Sequence, residues 1–329
     1  MRIGYFLSSE EYGPEELVRQ ARWAEEAGFE SLWISDHFHP WNDEQGQSPF
    51  VWSTIGAISQ VCALPVMTAV TCPTVRMHPA IVAQAAATSA VLTAGSFILG
   101  VGSGEALNEH VTAARWPDIG VRLEMLEEAV GVMRELWAGG YLDHHGRHYD
   151  VENARIYTRP TDPIPVYVSA FGPRAARLAG RIGDGLVTVT PDTDIIKEFR
   201  AAGGEGKPVS AGYKVCWGTD DETCVDTAHR LWATSGLPGE LSQVLPSPAH
   251  FEQASTLVPR QATRSSIAYG DDVDRHVQAF RPYAEAGIDT IHIAQIGGTG
   301  DVTPAEGFFE FYGSTVLPRL REMAGGDDR

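Results

Sequence analysis

Phe97-Ile98-Leu99-Gly100-Val101-Gly102-Ser103-Gly104-Glu105-Ala106-Leu107-Asn108-Glu109 is a short apolar run that breaks into glycines and then into mixed polar residues. An apolar run without polar alternation reads as a strand covered on both faces, as parallel strands are. The glycines permit close backbone approach. Glu105 and Asn108, three apart, share a face if a helical turn begins there. The segment therefore reads as a strand, a tight turn and the start of a helix, with polar groups at the carboxyl end of the strand.

The same rhythm extends in both directions. Ile3–Leu7, Ser31–Ile34, Val66–Thr71, Pro165–Val168, Leu186–Val189, Ser210–Cys216 and Thr290–Ile293 are further apolar runs. Helices are expected from Pro14, stopped by Gly28, and from Pro79 to about Leu92. Others are expected from about Arg122 to Trp137, from Gly172-Pro173 onward, and from about Phe308 to Met323. About eight strand–helix units predict an α/β chain folded as a (β/α)8 TIM barrel rather than an open sheet. His148 to Tyr157 reads as a small excursion or hairpin. The Pro/Ser/Gln-rich stretch 234–263 lacks clean periodicity and is long for a connection. It reads as an inserted segment over the carboxyl-end face of a single barrel domain spanning 1–329.

Composition narrows the function. The chain carries 25 basic against 43 acidic residues, a formal charge of −18, and its lysines are Lys197, Lys207 and Lys214. A field of that sign repels nucleic acid and anionic membranes, so neither is an expected partner. No apolar run reaches the roughly 18 residues that a bilayer span needs, and the opening Met1-Arg2-Ile3-Gly4-Tyr5-Phe6 reads as a first strand rather than a signal peptide. A cytoplasmic protein is the expectation. Cys62, Cys72, Cys216 and Cys224 show no metal-binding spacing, nor do His110, His144, His145 and His148, so no metal is expected.

Chemistry concentrates after the strands. Asp36-His37 follows the second strand, offering a base that works near neutral pH beside a carboxylate. Trp41 adds an aromatic wall suited to a flat ring, whereas His39 reads as loop structure. Glu105 can hand a proton to a ring nitrogen and Asn108 can donate to a ring carbonyl. Glu10 enters the same rim from the first strand, and its neighbour Glu11 is expected to be solvated. Gly100-Val101-Gly102-Ser103-Gly104 lacks the full dinucleotide fingerprint, which argues against a nicotinamide site. Ala69-Val70 ends a central strand where a ring would stack. The turn Ala170-Phe171-Gly172 opens a helix whose first amides suit a phosphate.

Ser35-Asp36-His37-Phe38, Trp41, Gly102-Ser103-Gly104-Glu105-Ala106-Leu107-Asn108-Glu109, Glu10 and Gly183-Asp184-Gly185 together resemble the F420-dependent glucose-6-phosphate dehydrogenase-like branch of the luciferase-like monooxygenase superfamily. The resemblance implies a TIM barrel, usually dimeric, that binds coenzyme F420 and exchanges a hydride with an alcohol or carbonyl substrate. It implies His37 as the base, Glu105 as the acid that protonates the deazaflavin, Trp41 as an indole stabilising the reacting pair, and Glu10 as a substrate-side carboxylate. Base and acid would stand on opposite sides of the reacting pair. Asp36 and Asn108 match cofactor-contacting positions, as do Gly102 and Ser103. Ala69-Val70 matches a non-prolyl cis peptide, and Ala170, Phe171 and Gly172 match the segment around the cofactor's phosphodiester. One departure stands out: Asp192 occupies the place of a phosphate-clamping lysine, with Lys197 nearby and Arg264 as a later cation. That argues against glucose 6-phosphate as substrate. An F420H2-dependent reductase of a C=C or C=N bond, an FMN-dependent monooxygenase and a non-catalytic cofactor-binding protein are the rival readings.

Overall fold

The computed structural model describes residues 1–297 and 305–325. Each apolar run named above contributes one barrel strand. These are β1 (Arg2–Leu7), β2 (Leu32–Ile34), β3 (Val66–Thr68), β4 (Phe97–Val101), β5 (Val166–Ser169), β6 (Gly185–Thr188), β7 (Val209–Cys216) and β8 (Thr290–Gln295). They pair in parallel in chain order, with Tyr5 opposite Leu32, Val66 opposite Phe97 and Leu99 opposite Val166. Leu186 lies opposite Val209 and Ser210 opposite Thr290. Arg2 opposite Thr290 then closes the ring between β8 and β1. Every barrel strand thus has two neighbours, and the sheet is a closed TIM-type barrel.

Alternation along the strands sorts side chains inward and outward. Leu7, Ile34, Leu99, Val168 and Leu186 face out and join the core shared with the surrounding helices. Trp33, Met67 and Val187 fill the barrel interior with Phe6, Ile98 and Tyr167 around them. Room for the Trp33 indole comes from Gly212, where a Cβ would lie 2.9 Å from the ring. Gly4 does the same for His292, whose ring a Cβ would meet at 2.2 Å.

The helices follow from local signals. Pro14–Ala27 starts with proline in its first turn and ends where Gly28 adopts φ 93°. Pro79–Leu92 and Ile119–Ala138 pack beside each other outside β3 and β4. The expected excursion is an antiparallel hairpin, but it lies at Leu142–His145 and Asp150–Ala154, earlier than the sequence suggested. Its strands are half polar, so no apolar run marks their start.

The 234–263 stretch is helical in short pieces: a 3-10 turn at Ala233–Gly236, then Leu241–Val244, Pro248–Ser255 and Arg260–Ser266. None is long enough to establish a 3.6-residue repeat. A two-residue strand, Ala268–Tyr269, adds onto the end of β7. Among the described residues no helix is long and apolar enough to cross a membrane.

Candidate active site

The carboxyl ends of β1, β2, β3 and β4 bring the candidate residues together. Loop cross-bonding begins with two serines: Ser9 N–H donates to Ser35 Oγ at 2.9 Å, and Ser9 Oγ donates to the Ser35 carbonyl at 2.8 Å. Ser35 Oγ in turn donates to Glu10 Oε2 at 2.8 Å, and Ser8 Oγ donates to the same oxygen at 3.1 Å. Glu10 is therefore buried with one oxygen satisfied and the other turned to His37.

His37 is the centre of the constellation. Its Nδ1 lies 3.2 Å from the His39 carbonyl, which fixes the proton on that nitrogen in the neutral ring. Nε2 then faces Glu105 Oε1 at 3.3 Å and Glu10 Oε1 at 3.5 Å. His37 and Glu105 are in direct contact. Asn108 is the physical reason. Its Oδ1 accepts from the N–H groups of Phe38 and His39 at 2.8 and 3.0 Å, while its Nδ2 donates to Glu105 Oε1 at 2.9 Å. One buried amide ties the base loop to the acid. His39, expected as loop structure, donates from Nδ1 to the Leu107 carbonyl at 2.9 Å and reinforces the same tie.

Trp41 stands beside the base, its ring 5.1 Å from the imidazole. Its other side meets the fully buried Phe251 edge-to-face at 5.0 Å, so the helical 234–263 stretch reaches the rim. Gln243 from the same stretch accepts from Arg122 Nη2 at 3.0 Å.

The floor lies between β3 and β4. The Ala69–Val70 peptide is cis. Gly102 donates its N–H to the Thr71 carbonyl at 3.1 Å, and a Cβ there would come within 2.7 Å of the Val70 side chain. Gly102 thus contributes a flat, side-chain-free approach, with Ser103 half-buried at the following turn. Gly104 adopts φ 84°, the left-handed conformation that aims Glu105 back at His37. Asp36 is buried, accepting from Thr71 Oγ1 at 2.7 Å and pairing with Arg76 at 2.9 Å. On the β5 side, Ala170 is buried with its N–H bonded to Val187, Phe171 is exposed, and Gly172 is the N-cap of the helix Pro173–Ile182. The first-turn amides of that helix have no intrahelical acceptor and suit an anionic group.

Sequence reasoning misplaced one residue and overlooked others. Glu11 is buried, not solvated: it accepts from the Trp232 indole N–H and from Gly297 N–H at 2.8 Å. Burial pushes its carboxyl up to about 7 against the pull of those bonds. Lys214 reaches the same place from β7, its ammonium 4.1 Å from the Trp232 ring, and loss of water around it lowers its pKa while Glu10 and Glu11 hold it up. Arg76 and Glu109 were also overlooked. Glu109 is fully buried, its carboxyl pushed up to about 7 by burial. A lone charge in a Pro-Thr loop carries no signal in one sequence.

A closed parallel barrel with an imidazole, two carboxylates and an indole at its carboxyl-end mouth defines a TIM-barrel enzyme. The flat floor fits a planar tricyclic ring such as deazaflavin, with proton-handling groups beside it. The luciferase-like monooxygenase family model matches residues 1–290, and the chain belongs to that family. It is 35% identical to an F420-dependent glucose-6-phosphate dehydrogenase of Nakamurella multipartita, over 99% of this chain and 98% of that protein. Among solved structures, an F420-dependent secondary alcohol dehydrogenase in complex with an F420-acetone adduct superposes with TM-score 0.89 and 31% identity, covering 97% of this chain and 99% of that one. A coenzyme F420-dependent tetrahydromethanopterin reductase from Methanopyrus kandleri shares the fold at TM-score 0.77 and 18% identity, covering 97% of this chain and 100% of that one.

Proposed function

We propose that this chain is an F420-dependent oxidoreductase that exchanges a hydride between an alcohol and the deazaflavin of coenzyme F420. The observation that carries the reading is His37 Nε2 set 3.3 Å from Glu105 Oε1 at the edge of the Val70–Gly102 floor. When bound, F420 supplies a ring carbon that accepts or returns a hydride. The chain's own residues do the rest. His37 Nε2 takes the hydroxyl proton, which drives electrons out of the carbinol carbon. Glu105 holds or delivers a proton on the ring side. Glu10 faces the protonated imidazole, and Trp41 limits the orientations open to the substrate.

The substrate is an uncharged alcohol rather than a sugar phosphate. Asp192 caps the helix Thr193–Phe199 by accepting from Asp194 N–H at 2.9 Å and Ile195 N–H at 3.2 Å. Lys197 pairs with Asp194 at 3.1 Å on the exposed surface. Arg264 pairs with Glu222 at 2.6 Å. Lys197 and Arg264 thus have partners elsewhere, Lys214 is buried against Trp232 and faces Glu10 and Glu11, and the mouth itself is rich in carboxylates. The 234–263 stretch acts as an insertion of a single barrel domain, with Phe251 bracing Trp41. A cytoplasmic homodimer is the assembly that fits the family resemblance and the acidic composition.

Parallel titration of the protein with F420 and FMN, followed by fluorescence, tests the cofactor. Tight F420 binding with weak FMN binding is expected. Preference for FMN overturns the reading in favour of oxygen chemistry.

A further inference from the structure

Three segments meet beneath the His37–Glu105 pair: the base loop after β2, the acid turn after β4, and the loop Thr71–Arg76 after β3. Arg76 lies where they join. Its Nη2 donates to Asp36 Oδ1 at 2.9 Å. Its backbone N–H donates to Glu109 Oε2 at 2.7 Å, and that oxygen also accepts from Val75 N–H at 3.3 Å. Arg76 Nε and Glu109 Oε1 face each other at 3.6 Å as an ion pair, and neither has a hydrogen-bond partner. The side chains of Arg76, Asp36 and Glu109 are 8%, 1% and 1% exposed. Asp36 immediately precedes the base, and Glu109 ends the turn that Glu105 opens.

Removing a buried guanidinium from between two buried carboxyl groups takes away the cation that faces both, leaving only the Thr71 hydroxyl on Asp36 and two backbone N–H groups on Glu109. Only a planar fork reaches carboxylates on two different segments; a lysine ammonium is a point charge that serves one of them well. Apart from the His37–Glu105 contact itself, no other charged side chain among the described residues joins these two segments. We propose that Arg76 is a positioning residue for hydride transfer: by spanning Asp36 and Glu109 it holds the two segments in the register in which Asn108 brings His37 and Glu105 together. This rests on the reading of the pocket given above.

Two readouts test it on the full chain with Arg76→Lys, Arg76→Met, Glu109→Gln and the Arg76→Met/Glu109→Gln pair. The first needs no cofactor. In histidine-labelled protein, Arg76→Lys and Glu109→Gln are expected to move the His37 imidazole resonance, assigned by its loss in His37→Ala, and to leave that of His292 in place. An unmoved His37 resonance overturns the proposal whatever F420 does. The second is steady-state reduction of F420 by isopropanol. Arg76→Met is expected to lower kcat by roughly ten- to a hundredfold with little change in KM, the signature of misplaced reacting groups. Arg76→Lys should recover part of that loss, and adding Glu109→Gln to Arg76→Met should cost nothing further, because both remove the same bridge. A kcat unchanged in Arg76→Lys and Glu109→Gln, or losses that multiply in the pair, overturns the proposal even if Arg76→Met fails to fold. Failure of the wild-type protein to reduce F420 with any alcohol sinks the functional reading, while the resonance readout still decides this one.

Discussion

Two histidines in this barrel face opposite fates. His292 lies inside it, stacked on Trp33 at 4.3 Å with an interplanar angle of 13°. Ser31 Oγ sits 2.9 Å from its Nε2 and Ser210 Oγ 3.4 Å from its Nδ1. Burial holds its pKa well below the ordinary histidine value, so it stays neutral. His37, at the mouth, holds a backbone carbonyl with Nδ1, and its Nε2 faces two carboxylates beside an indole. Residue type is the same in both places. What separates an imidazole placed for chemistry from a packing one is whether a ring nitrogen is presented at the mouth and whether charge is gathered around it.

The comparison breaks most visibly by deletion. His37→Ala should slow F420 reduction by about 10²–10⁴-fold, the range for loss of a general base, while F420 affinity stays close to wild type. A rate that survived would place His37 with His292 as structure. Glu105→Gln should follow at roughly a hundredfold, because the amide keeps an acceptor for Asn108 but carries no proton to give. Single-turnover absorbance at several pH values checks both.

His292→Ala should do the reverse: a loss of about 2–4 kcal/mol of stability in urea titrations, from the cavity against Trp33 and the lost contacts to Ser31 and Ser210, with kcat unchanged. Acid should sharpen the same division. His276 is enclosed like His292, its ring nitrogens held by Tyr312 Oη and the Gly270 carbonyl, and burial lowers its pKa to about 4. A histidine depressed in the fold contributes its full stability above the unfolded pKa near 6.5 and loses it as pH falls toward the folded value. By pH 5 that is about 2 kcal/mol from His276 alone. Urea midpoints at pH 7 and pH 5 should therefore diverge less in His276→Asn than in the parent chain.

The barrel was legible because its strands are pure apolar runs, which only parallel strands covered on both faces require. The His37 loop and the Glu105 turn were legible as a candidate site because chemistry-bearing residues sit directly after two of those runs. Other features have no local sign. The hairpin near Asp150 is half polar, and of the short helices in the 234–263 stretch Pro248–Ser255 is anchored by Phe251 alone while Leu241–Val244 buries nothing. The burial of Glu11 depends on Trp232 and Gly297, more than 200 residues away. Arg76 matters only because folding brings Asp36 and Glu109 to it. Contact between His37 and Glu105 is likewise a product of Asn108, whose spacing suggested a shared face but not which loop it would bind.

The most direct test of the account is anaerobic stopped-flow reduction of F420 by a panel of secondary alcohols, each in ordinary form and deuterated at the carbinol carbon, with FMN run in parallel. Hydride transfer in this pocket predicts bleaching of F420, slowed by carbinol deuterium and lost in His37→Ala, with FMN left untouched. Absence of F420 reduction across the panel, with FMN bound and oxygen consumed on aeration, would contradict it.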